Sequence, residues 1–80
     1  MFYTYILKSA NKDKYYTGCS SNWKKRLSEH NNGQCRWTKQ YLPWKLHYLE
    51  TYINKEEAFS REKYLKSHAG RKWIKKHLGL

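Results

Sequence analysis

In the run WKKRLSEH, Arg26 and His30 lie four residues apart, so on a helix both project the same way, beside the apolar Leu27. A planar guanidinium holds two phosphate oxygens at once, and an imidazole takes up or gives back a proton near neutral pH. Glu62 is the third residue of this kind. In KEEAFSREKYLK the stripe Ala58, Phe59, Glu62, Leu65 and Lys66 follows helical spacing and sets a carboxylate in a largely apolar face. A charge placed there is costly unless it is paired or holds a metal. One carboxylate suffices for Mg²⁺ or Mn²⁺, because a hard cation completes its shell with water and phosphate oxygens. Tyr5 and Tyr16 stand in two neighbouring strand-like runs, and a phenol beside strong cations is expected to lose part of its proton. Two phenols, an arginine, a histidine and a metal-holding glutamate together suit phosphodiester hydrolysis.

Each of these residues also has a plainer reading. Glu62 could face solvent and pair with Lys66, an interaction worth a few tenths of a kcal/mol. Arg26 and His30 could solvate the edge of a basic helix. Most tyrosines in small sheets are packing residues, the role expected here for Tyr3 and Tyr15.

The elements that must position these residues follow from local signals. FYTYILKS and KYYTGCS are rich in aromatic and β-branched residues and are joined by the turn ANKD, which predicts a β-hairpin. Asn22 is a fitting N-cap for a helix that ends in NNG, with Trp23 and Leu27 on its core face. Residues 34–44 read as a surface loop. KLHYLETYI predicts a third strand over Lys45–Ile53, with Leu46, Tyr48 and Glu50 on one face. Asn54 with Glu57 three residues on resembles a capping box, with Ile53 and Ala58 as a hydrophobic staple. The helix it starts is expected to reach His68 and to be ended by Gly70, before a final helix RKWIKKHL closed by Gly79. The predicted class is α+β: a small three-stranded antiparallel sheet flanked by helices, order β-β-α-β-α-α, in one domain over residues 1–80.

Charge points to the partner. Seventeen Lys and Arg against six Asp and Glu give a net charge of +11, which attracts polyanions. The last twenty residues hold seven basic residues and one acidic residue, yet Tyr64, Leu65, Trp73, Ile74 and Leu78 recur among them at helical spacing, which predicts a folded basic surface. Lys24, Lys25, Arg36, Lys39, Lys72, Lys75 and Lys76 are candidate phosphate contacts. Trp37 and Tyr41 are candidates to stack on unpaired bases or, on the plainer reading, to pack beneath the loop. Nothing in this set reads base edges, so structure-dependent or nonspecific cleavage is expected. No secretory leader or membrane span is recognised, which predicts a cytoplasmic protein, and no obligate protein partner is inferred. In that compartment Cys19 and Cys35 stay thiols, and a zinc site built from them with His30, His47, His68 or His77 finds little support in their spacing.

YTYIL followed by YYTGCSSNWKKRLSEH resembles the GIY-YIG nuclease family, with TYI at the first motif and YTG at the second. The intervals agree: eleven from Tyr5 to Tyr16, eight from Gly18 to Arg26, four from Arg26 to His30. AFSREKYLK is similar to the family's glutamate helix, so the resemblance covers nearly the whole chain. It implies metal-dependent cleavage of nucleic acid, expected to be DNA, in repair or processing. By the same resemblance Tyr5 or Tyr16 would act at the attack step, Arg26 on the developing phosphate charge, His30 in proton transfer and Glu62 on the metal. The competing reading is a basic nucleic-acid-binding module that keeps this scaffold but cuts nothing.

Overall fold

Strand β1, Phe2–Ser9, carries four consecutive buried residues, Thr4 to Leu7, a pattern that only a central strand covered on both faces can satisfy. The computed structural model, which describes Met1–Leu80, places it so. An antiparallel sheet runs in the order β2 (Tyr15–Ser20), β1, β3 (Trp44–Tyr52), and helices α1 (Trp23–Asn31), α2 (Lys55–Lys66) and α3 (His68–Leu78) cover it. This is the expected α+β architecture in the expected element order.

Alternation along β1 divides the core in two. Tyr5 and Leu7 pack with Trp44 under Trp23 and Leu27 of α1, while Ile6 packs on the other face with Leu65 of α2 and Ile74 of α3. Thr4 shares that second face and donates its hydroxyl to the Ala58 carbonyl at 2.7 Å, tying the sheet to the first turn of α2. Both helix starts read from the sequence form: Asn22 Oδ1 accepts from the Lys25 N–H at 3.1 Å and Asn54 Oδ1 from the Glu57 N–H at 3.0 Å.

Four local expectations are corrected. Leu46 and Tyr48 lie on opposite faces, because a bulge pairs Ile6 with Tyr48 and Leu7 with Leu46, leaving His47 as the extra residue. Ile53 is 81% exposed and makes no staple on Ala58, and Phe59 faces solvent beneath Lys63, so α2 buries Ala58 and Leu65 alone. Gly70 does not end α2. Ser67 caps both helices, accepting from the Gly70 N–H at 3.2 Å, and Gly70 lies buried in the first turn of α3. Finally, residues 34–44 are more than a surface loop. They include a 3₁₀ turn, Thr38–Tyr41, that folds onto α1: the Trp44 indole donates to the Thr38 carbonyl at 2.8 Å and the Asn31 side chain brackets the Trp44 backbone at 2.7 and 3.0 Å.

A carboxylate and an arginine lock β3 to α2. Glu50, on the Tyr48 face of β3, accepts from the hydroxyls of Tyr48 and Tyr52 and from Arg61 Nε at 2.9 Å, and Arg61 in turn lies 4.6 Å over the Trp73 ring. Burial works to raise the Glu50 pKa, but these three donors together hold it below the usual carboxylate range.

Candidate active site

Tyr5 sits at the centre of the sheet and pairs across the strands with Gly18. A Cβ at Gly18 would fall 2.5 Å from both Cζ and the hydroxyl of Tyr5, so glycine here is the space in which the phenol crosses β2. The ring is 1% exposed. Burial pushes its pKa up to about 12; Arg26, close to the hydroxyl, pulls the other way, while Tyr16 and Glu62 add to the rise. This corrects the expectation of a partly ionised phenol. At neutral pH Tyr5 keeps its proton, because the cost of burying a phenolate exceeds what the neighbouring cation returns.

Tyr16 lies on β2, half-buried and open to a cleft. Its ring centroid is 4.7 Å from that of His30 and 6.2 Å from that of Trp37, with Lys66 Nζ 5.9 Å above it. Of the two phenols, Tyr16 is the one a substrate can reach.

Arg26 and His30 share a direction, as their spacing predicts, but they differ in exposure. The Arg26 side chain is partly solvated, lies close to Tyr5 and pairs through Nη1 with Glu29 Oε1 at 3.1 Å. Glu29, one turn along, is a partner that the motif spacing does not reveal. His30 is buried; its Nδ1 meets the Thr38 hydroxyl at 2.9 Å, and its Nε2 is buried with no hydrogen-bond partner. Burial first, and then the charge of Arg26, lowers the His30 pKa, so the ring is neutral at pH 7.

Glu62 projects from α2 toward β2 and lies within the electrostatic field of both Tyr5 and Cys19. The plainer reading of this residue is half right. Its Oε2 does take Lys66 Nζ at 2.8 Å, yet the Glu62 side chain is only 14% exposed and does not stand in bulk water. No group of three or more His, Cys, Asp or Glu side chains converges anywhere, so the chain builds no zinc-type cage, and neither cysteine is in a disulfide. A single, largely covered carboxylate does fit a hard cation whose remaining ligands are water and phosphate oxygens.

The candidate phosphate contacts are exposed but do not form one patch. Lys24, Lys25, Arg36 and Lys39 belong to α1 and the loop on the Tyr5 face, whereas Lys72, Lys75 and Lys76 belong to α3 on the opposite face. Of the two aromatic candidates, Trp37 lines the cleft beside Tyr16, and Tyr41 is half-buried against Trp44. Lys66 and Arg71 line the same cleft. Their signal is the basic run after residue 60, but which of its cations face Tyr16 depends on the packing of α2 and α3.

Two of these groups give the fold a pH dependence with a definite sign. A depressed folded pKa means that the unfolded chain binds the proton more readily, so stability is present above the unfolded value and is lost as pH falls. His30 acts below its ordinary value of 6.5 and Glu50 below 4.5. Urea midpoints should therefore be flat from pH 8 to 7, decline below about 6.5, and decline again at acid pH. His30→Gln should remove the first decline and leave the second, and an unaltered first decline would exclude His30 as its source.

A family model described as the GIY-YIG catalytic domain matches residues 1–77. The chain is 46% identical over 67 residues to the UPF0213 protein CPE1444 of Clostridium perfringens, covering 82% of this chain and 71% of that one. It is 38% identical over 74 residues to the UPF0213 protein SSP2268 of Staphylococcus saprophyticus, covering 91% and 89%. Among solved structures, the solution NMR structure of the UPF0213 protein BH0048 from Bacillus halodurans superposes with a TM-score of 0.56 at 26% identity, over 99% of this chain and 88% of that one.

Proposed function

Taking as premise that the chain belongs to the GIY-YIG family, a nuclease family by its members' fold and motifs, we propose that it is a divalent-metal-dependent endonuclease acting on DNA, structure-dependent or nonspecific in its choice of site. The observation that carries this reading is the meeting of α1 and β2 around one opening: Arg26, close to the buried Tyr5 hydroxyl, lines it with His30, and the His30 ring lies 4.7 Å from that of Tyr16. A module that only binds nucleic acid has no evident use for a largely covered carboxylate on α2 together with an arginine held at a buried phenol.

In this reading Arg26 stabilises the charge that grows on the phosphate oxygens, and its position is fixed by Tyr5 and Glu29. Tyr5, protonated and walled in by Gly18, is a positioning residue. Tyr16, the accessible phenol, orients the attacking water by hydrogen bonding to it. His30 is neutral and can accept a proton at Nε2, the nitrogen without a partner; Thr38 holds the ring by the other nitrogen. Glu62 would hold Mg²⁺ or Mn²⁺, which when bound supplies positive charge at the phosphate. No helix is long and apolar enough to cross a membrane.

The deciding experiment is incubation of the purified protein with plasmid and branched DNA in Mg²⁺ or Mn²⁺. Cleavage abolished by chelator supports the reading, and binding without cleavage returns the protein to the class of binding modules. Phosphate contacts have a separate signature. If roughly six phosphates are neutralised, log Kd plotted against log salt concentration should have a slope of magnitude near 5, and an affinity indifferent to salt would remove the electrostatic interface.

A further inference from the structure

The largest opening in the molecule, a cleft of about 460 Å³, is walled by Tyr15, Tyr16, Trp37 and Leu65 and rimmed by Lys66 and Arg71. That volume is within the ~300–1,000 Å³ typical of sites for small ligands. Two features set it apart from an ordinary surface groove. Trp37 packs on Tyr41 and Trp44, with centroids 4.9 and 6.0 Å away, yet it stays 42% exposed. Arg71, like Arg36, has no acidic partner, whereas Arg26 and Arg61 each have one. Exposed aromatic faces next to an unpaired guanidinium suit a flat, π-faced ligand that carries negative charge beside it.

A nucleotide has that chemistry, and the place of the cleft says which one. Tyr16 belongs to the cleft wall and its ring lies 4.7 Å from that of His30, which lines the neighbouring opening with Arg26, so a base seated against Tyr16 and Trp37 would leave its phosphate on the side of the cleft that leads to Arg26. A base inside an uninterrupted duplex is stacked on both sides and cannot enter without extrusion, which costs a few kcal/mol, least where the base is already unpaired. We propose that this cleft holds the base of one unpaired nucleotide adjoining the scissile phosphate, so that the protein selects nucleic acid at unpaired positions over uninterrupted duplex. This rests on the nuclease reading above and gives that enzyme its substrate class.

The test is a binding measurement on the full chain in the presence of chelator, so that no cleavage occurs. Three labelled DNA duplexes of one sequence are compared by fluorescence anisotropy: fully paired, with one bulged nucleotide, and with an abasic residue at the bulge. The bulged duplex is expected to bind about 10-fold more tightly than the paired one, within the range that one stacked base supplies, and the abasic bulge to fall back to the paired level. Trp37→Ala should bring the ratio of bulged to paired affinity close to one, and Trp37→Phe, which keeps a stacking face, should retain most of it. Should Trp37→Ala melt early, the abasic comparison in the unaltered protein decides alone. Equal affinity for all three duplexes, or a ratio unchanged in a well-folded Trp37→Ala, would overturn the proposal. Discrimination with no cutting in metal would remove only the catalytic reading, whereas cutting with no discrimination would remove only this one.

Discussion

Arg26→Ala is expected to slow metal-dependent DNA cleavage by about 10²–10³-fold, the loss seen when one preorganised donor to a developing negative charge is deleted. Arg26→Lys should recover little of it, because an ammonium restores the charge but not the planar fork that meets two phosphate oxygens. Glu62→Gln should be comparably slow for a different reason: the amide keeps the shape and gives up the charge that a hard cation requires. The Lys66 pair supplies the control. Glu62→Gln removes the negative charge from the 2.8 Å pair and Lys66→Ala removes its cation, and an ion pair with one solvated partner contributes only ~0–1 kcal/mol, so the two variants should melt within a few degrees of each other. Single-turnover rates on plasmid DNA then separate the roles. A Glu62→Gln enzyme as fast as the unaltered protein would leave the carboxylate with nothing beyond its salt bridge, and cutting at an undiminished rate in both Arg26→Ala and Glu62→Gln would point to a contaminant.

The second large effect concerns stability, and its sign is opposite to what helix propensity suggests. Replacing a helical glycine by alanine ordinarily stabilises a helix by ~0.5–1 kcal/mol. Gly70 lies in the first turn of α3, where a Cβ would overlap the Tyr64 carbonyl oxygen and fall 2.5 Å from the Leu65 Cα. Both are backbone atoms of α2, so no side chain can swing aside to relieve the clash. Gly70→Ala should therefore cost about 2–3 kcal/mol or more by overpacking, lowering the melting temperature by roughly 10–20 °C in a domain of this size. Circular dichroism melts would show it. A rise in melting temperature would mean that the two helices separate cheaply at Ser67 and that the glycine is there for propensity-neutral reasons.

Interactions that close within one turn or one hairpin are legible in the chain itself. Asn22 and Asn54 cap helices because their side chains meet N–H groups three residues on, and Arg26 and His30 project together because four residues make about one turn. The hairpin and the element order likewise follow from neighbours in sequence. The sequence by itself also marks the five side chains whose chemistry suits a phosphate, but not what each of them experiences.

That is decided by contacts between residues far apart in the chain. His30 is neutral because the Thr38 turn folds over it, Tyr5 keeps its proton because helices close both faces of β1, and Leu46 parts from Tyr48 because β3 bulges to match a strand forty residues earlier. The helix boundary falls at Ser67 and not at Gly70 because a glycine that reads as a stop is also the residue that lets two backbones touch. The cleft beside Tyr16 arises in the same way, from a loop tryptophan and an arginine of α3 with no local pattern in common. Burial and electrostatic field are properties of the packed whole, and a one-dimensional pattern specifies which groups are present but not the dielectric in which they are held.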